Sequence, residues 1–227
     1  MAKKKSKAED GIVKVEEALS KTEKFIESNQ KLLTIVIGVI VVVVLAFFGI
    51  NRFYMTPREQ EAKEQMFMAE RYFEMDSLSL ALNGDGMYPG FVEIIDDYRW
   101  TKSANLSKYY AGICYLKLGN AEEAASYLKS FKGKDEIVGP MARGALADAY
   151  IELGESSKAV RSYLAAAKME KNDLTTPLFL MKAATAYEIM NDFTKALPLY
   201  EQIKKEFPNS VEAREIDKYI ARAKGMM

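Results

Sequence analysis

The chain contains no histidine, and that absence excludes more chemistry than any motif supplies. Imidazole acid–base catalysis, Ser-His-Asp and Cys-His nucleophiles and His-ligated metals all need a side chain that is missing. There is one cysteine, Cys114, so no internal disulfide forms and pairing says nothing about the redox compartment. Glycine-rich phosphate loops are missing too; Gly84-Asp85-Gly86 reads as a turn and follows no strand pattern. Neither sign of charge is in excess, with 32 Lys and Arg against 32 Asp and Glu, so there is no basic field for nucleic acid. These absences predict a protein that is not an enzyme, with no cofactor, no metal site, no nucleic-acid partner and no small-molecule substrate.

What the chain does have is one long apolar run, Leu32–Ile50. It holds no charge and no Asn, Gln or Pro, and almost all of it is Leu, Ile, Val or Phe. As a helix it reaches ~28 Å, the thickness of a bilayer's hydrocarbon core. Its side chains gain on the order of 5–9 kcal/mol on insertion. The valines favour strand locally, but in lipid only a helix satisfies its own backbone. Asn51-Arg52-Phe53-Tyr54 follows without an Ala-x-Ala cleavage pattern, so the run reads as an uncleaved signal anchor.

The expected order is a Lys-rich tail over 1–31, a transmembrane helix over 32–50 and one extramembrane domain beyond. The tail carries eight lysines against six acids, which predicts a cytoplasmic N-terminus and a domain on the far side of the membrane. Within the tail, Ile12, Val15, Leu19, Thr22 and Ile26 recur at helical spacing and mark one face of an amphipathic helix. That helix would lie on the membrane, dock a partner or run into the span.

After the span, Thr56-Pro57-Arg58-Glu59 reads as a helix start, with Thr56 as cap and Glu59 completing a capping box. Ala62, Met66, Ala69 and Phe73 continue its apolar stripe. From there the chain repeats itself. Leu118-Gly119-Asn120-Ala121-Glu122-Glu123-Ala124 returns as Leu153-Gly154-Glu155-Ser156-Ser157-Lys158-Ala159, and again as Met190-Asn191-Asp192-Phe193-Thr194-Lys195-Ala196. Tyr115, Tyr150 and Tyr187 precede the three turns. Leu128, Tyr163 and Tyr200 follow the alanines, and Gly112, Ala147 and Ala184 supply small residues for close helix contact. The pattern resembles the tetratricopeptide repeat, a helix–turn–helix unit. The fold class expected is therefore all-α: an N-terminal transmembrane helix followed by a tetratricopeptide solenoid.

In the register of that resemblance, residues 51–104 form a linker helix and a degenerate first repeat of doubtful register. Residues 105–210 form three repeats (105–138, 140–173 and 177–210), and 211–227 a C-terminal capping helix begun by Asn209 with Glu212. Pro198 falls inside a predicted helix, so a bend or a late start is expected there. Cys114 aligns with Ala149 and Ala186 and is expected to be a packed residue without chemistry.

The resemblance also implies a binding groove lined by the first helix of each unit. By register its residues are Leu106, Tyr109, Ile113 and Leu116, then Met141, Asp148 and Ile151, then Leu178, Met181, Thr185 and Glu188. Members that grip a peptide carboxylate carry Lys, Arg and Asn there; here only Lys117 is near. The implied partners are proteins, offering an apolar segment or a helix, unless the helix after Thr56 fills the groove itself. The layout is similar to that of the bacterial membrane-anchored tetratricopeptide proteins, which include the ancillary subunit of the SecYEG translocon. Phe25-Ile26-Glu27-Ser28-Asn29-Gln30-Lys31 is the local likeness to that subunit. This implies a translocon-associated, chaperone-like binder at the inner membrane, with its repeat domain periplasmic or otherwise extracytoplasmic. The alternative is a structural scaffold in an envelope complex, such as outer-membrane assembly or cell division.

Overall fold

The computed structural model describes residues 25–133 and 135–227. The predicted amphipathic helix of the tail, apart from its end at Ile26, lies outside the described residues. The chain divides into two compact units, Met1–Pro57 and Arg58–Met227.

The first unit is built on α1, Gln30–Ile50, which buries none of its side chains. Among the described residues it is the one stretch of helix apolar enough to cross a membrane. Its single hydroxyl, that of Thr34, donates to the Gln30 carbonyl at 2.8 Å, so that hydroxyl is satisfied within the helix. A π-helical turn, Asn51–Met55, follows.

Helix α2, Thr56–Glu74, does not begin with the capping box expected from its sequence. Thr56 is itself helical (φ −64°, ψ −47°), and its hydroxyl donates back to the Asn51 carbonyl. The preceding turn already satisfies the backbone there, so no orphan N–H groups wait for a cap. The Glu59 carboxylate is therefore free to serve another helix. It accepts from the backbone of Lys102 and Ser103 and from the Ser103 hydroxyl at 2.8 Å, while Thr101 accepts from Ala104 N at 3.0 Å. Together they cap α5, Lys102–Lys117.

The second unit contains only helices and turns among its described residues. After α2 come α3 (Leu78–Asn83), α4 (Phe91–Asp97), α5, α6 (Ala121–Ser130), α7 (Val138–Glu152) and α8 (Ser156–Met169). Helices α9 (Thr175–Ile189), α10 (Phe193–Glu206) and α11 (Ile216–Gly225) complete it. The repeat is written in the backbone. Asp76, Gly119, Gly154 and Asn191 all have positive φ, between 57° and 79°. At each, the next N–H reaches back to a tyrosine carbonyl: Ser77 to Tyr72, Asn120 to Tyr115, Glu155 to Tyr150 and Asp192 to Tyr187, at 2.8–2.9 Å. The positive-φ residue itself bonds to Phe73, Leu116, Ile151 or Glu188. This is the Schellman closure of a helix C-terminus, made four times. Asp76 thus makes the same turn ahead of the three repeats, in the segment whose register the sequence left in doubt. There the second helix is broken into α3 and α4, and the chain between them crosses itself. A Cβ on Gly90 would stand 2.2 Å from the Leu82 carbonyl oxygen.

Each hairpin buries its small residues. A Cβ on Gly112 would lie 2.5 Å from Leu128 Cγ, and Ala147 and Ala184 are fully buried. Three clusters form the core: one around Met66, Phe91 and Cys114, one around Leu128, Ala145 and Leu146, and one around Tyr163, Phe179 and Tyr200. Pro198 lies inside α10 on its exposed side, and the helix still begins at Phe193, so the late start does not occur. The last helix is also entered differently than expected. Ser210, not Asn209, is the acceptor, taking Ala213 N at 3.2 Å, and a 3-10 turn (Glu212–Glu215) precedes α11.

Candidate protein-binding groove

Turns between antiparallel helices make α2, α5, α7, α9 and α11 run the same way. Three of them, α5, α7 and α9, carry the expected groove residues. On α5, Tyr109, Ile113 and Leu116 are half-buried against the second cluster, which joins Ala124 and Leu128 of α6 to Ala142, Ala145 and Ala149 of α7. Tyr109 lies 5.8 Å from the Phe131 ring and 5.6 Å from Tyr110. Leu106 belongs instead to the first cluster, with Phe91 and Ile94. Met141, Ile151, Leu178 and Met181 pack, half-buried, on the C-terminal cluster. Thr185 is exposed and its hydroxyl donates to the Met181 carbonyl.

Of this row, helix α2 shares a cluster with Leu106 alone. It meets the other flank of α5, through Met66 Sδ, which accepts from the Ser107 hydroxyl at 3.2 Å, and through Phe73 beside Tyr110 at 5.1 Å. Cys114 is buried on that flank, and burial pushes its thiol up to about 12, so it carries no thiolate chemistry at neutral pH.

The two acids of the row are not open. Asp148 accepts from Lys182 Nζ at 2.7 and 2.8 Å and from the Tyr163 hydroxyl. Burial, then that hydrogen bond, raises the Tyr163 phenol above its ordinary value. Glu188 takes the Arg222 guanidinium through both carboxylate oxygens, and its side chain keeps only 11% exposure. Lys182 and Arg222 were missed as site residues. A signal existed: each cation lies 34 residues beyond its acid, one repeat on, where the next first helix carries it. Lys117 is spoken for as well, by Asp76 at 2.8 Å. Thr185 and Glu188 open with Ile189, Phe193, Arg222 and Met226 onto a hollow of ≈ 350 Å³ at the C-terminal end.

Sequence models of the tetratricopeptide repeat match residues 107–135 and 145–211. Two solved structures share the fold, a Podosopora anserina protein described as a putative kinesin light chain with nearly identical TPR-like repeats and a single-substitution form of the same protein. Each is 17% identical, covers 74% of this chain and 87% of its own, and superposes with a TM-score of 0.57. No curated protein matches the sequence. The fold is thus an all-α, TPR-like solenoid, and two stretches of it match models of the tetratricopeptide repeat, a unit that implies a protein-interaction module.

Proposed function

We propose that this protein is held in the inner membrane by α1 and presents its repeats outside the cytoplasm to bind apolar segments of other proteins. The observation that carries the reading is the internal pairing of Asp148 with Lys182 and of Glu188 with Arg222. A groove whose charges are already matched has no clamp to spare for a peptide carboxylate. It has Met181, Phe193 and Met226, flexible or aromatic groups that adapt to variable partners, with the exposed Ile189 beside them. Burying them gains roughly 25 cal/mol per Å², part of which goes into ordering an extended client, so binding is expected near micromolar. A translocon-associated, chaperone-like role fits such a site and such an anchor.

The test is titration of an unfolded envelope protein into the full chain in detergent and into Ile189→Ser. Ile189 is exposed, so its loss leaves packing intact. Several-fold weaker binding with unchanged melting supports the groove; equal affinity removes it from the mechanism. The apolar character further implies that raising salt leaves the affinity nearly unchanged.

A further inference from the structure

Large apolar side chains stand out at both edges of the repeat unit. Where the chain passes from one hairpin to the next, Trp100, Ile137, Leu174 and Val211 are exposed, at even spacing along the chain, and Trp100 is 84% exposed. Met75, Leu118, Leu153 and Met190 are exposed at the opposite, turn edge. The connections of the first set lie side by side. The Asn105 side chain exchanges two 3.0 Å hydrogen bonds with the Lys132 backbone, Asn172 donates to the Glu136 carbonyl, and Lys171 pairs with Glu206. The row is therefore one continuous edge.

Chain connectivity bounds how far the first connection can lie from α1. Only Asn51–Pro57 separates α1 from Arg58, a stretch that spans about 25 Å at full extension. Arg58 is fixed to the first connection, donating to the Asp97 carbonyl and lying over the Tyr98 ring at 5.2 Å. Glu59 holds the far side of the same connection through Lys102 and Ser103. Trp100 is between these two anchor points. The turn edge is a whole helix away, about 28 Å along α2.

We propose that the connection edge is the membrane-facing edge of the repeat unit, with Trp100 seated in the headgroup region of the lipid. The proposal rests on α1 being the membrane anchor. Tryptophan favours this layer, where its ring is half in hydrocarbon and its N–H stays wet. Both signs of charge border the edge, Arg99 and Lys102 beside Asp96 and Asp97, and Lys171 beside Asp173. The attraction is accordingly apolar, and neutral phosphatidylcholine suffices.

Trp100 is the sole tryptophan of the chain, so its fluorescence reports on this site alone. The full chain is reconstituted into phosphatidylcholine vesicles with and without nitroxide-labelled headgroups, and carbonate-washed pellets establish separately that it is anchored. The expected result is blue-shifted emission, lost to the lipid-borne quencher and shielded from soluble acrylamide. Moving the reporter to the turn edge, with Trp100→Phe and Leu153→Trp, is expected to abolish lipid quenching. Water-like emission at Trp100 in pelleted protein, or equal quenching at both edges, overturns the edge assignment while the anchor stands. A blue shift that grows with protein concentration in detergent, without lipid, would assign the edge to a second copy and overturn it too. Chain lost from the pellet removes the anchor and this inference with it.

Discussion

Gly144 shows how little room the hairpins leave. A Cβ there would stand 1.9 Å from Cε1 and 2.3 Å from Cζ of Phe179, a buried ring stacked on Tyr163. A buried ring stacked on its neighbour has little room to turn, so Gly144→Ala is expected to cost about 3 kcal/mol, the upper end for overpacking. Gly112→Ala meets Leu128, a side chain with other rotamers, and is expected to cost about 1 kcal/mol. Urea unfolding of both variants checks the order; a neutral Gly144→Ala would mean that α7 and α9 do not meet there. Cys114 yields a second expectation. Its folded pKa, pushed up to about 12 by burial, lies above the usual thiol value, so the unfolded chain loses that proton first as pH rises. Its stabilising share is thus complete below the ordinary thiol range and declines as pH rises from there towards about 12. Cys114→Ala should flatten the alkaline fall in melting temperature, and alkylation at mildly alkaline pH should need unfolding.

The helices separate what could be read in the sequence from what could not. Hairpins and their turns were legible because Gly119, Gly154 and Asn191 recur at fixed offsets from tyrosine and alanine, and each of those residues has one physical job. The first unit's turn was not, because Asp76 takes the left-handed conformation without being glycine or asparagine, and α3 and α4 are too short to show a period. The capping box at Thr56 misled for a different reason. Local spacing cannot show that Glu59 faces the N-terminus of α5 from another helix. If Glu59 is that cap, Glu59→Ala should destabilise the repeat unit by about 1 kcal/mol, and Glu59→Gln, which keeps the acceptor, should recover part of it. Hydrogen exchange of Lys102, Ser103 and Ala104 amides distinguishes this from a general loss, since the change should be confined to that first turn. Equal protection in the wild type and the alanine variant would sink the assignment. For the expected groove residues, register placed Asp148 and Glu188 on the first helices but could not show their charge pairing, because Lys182 and Arg222 sit one repeat further on.

For the whole molecule, that one-repeat offset couples neighbouring units of an array in which each unit otherwise touches only the next. Asp148–Lys182 ties the second clear repeat to the third, and Glu188–Arg222 ties the third to α11. The two pairs differ in exposure. Asp148 and Lys182 keep about a third of their side-chain surface, whereas Glu188 is nearly covered and Arg222 is not. Partly exposed pairs contribute roughly 0.5–1 kcal/mol, so Lys182→Met should change global stability little. Arg222→Met strands a covered carboxylate, and the loss should be larger, about 2 kcal/mol, though not evenly spread. It releases α11 first, because that helix ends the array and Ile216 and Ala223 are its only fully buried side chains. Once α11 frays, Tyr200 and Ile203 of α10 face water. The expected outcome is loss of amide protection in α11 and then α10, while α5 and α6 keep theirs. A double-mutant cycle with Glu188→Gln should recover most of the cost, because the stranded charge is then gone. Uniform loss of protection along the unit, with no recovery in the double variant, would show that the repeats melt as a single block and that the ion pair is not what holds the end in place.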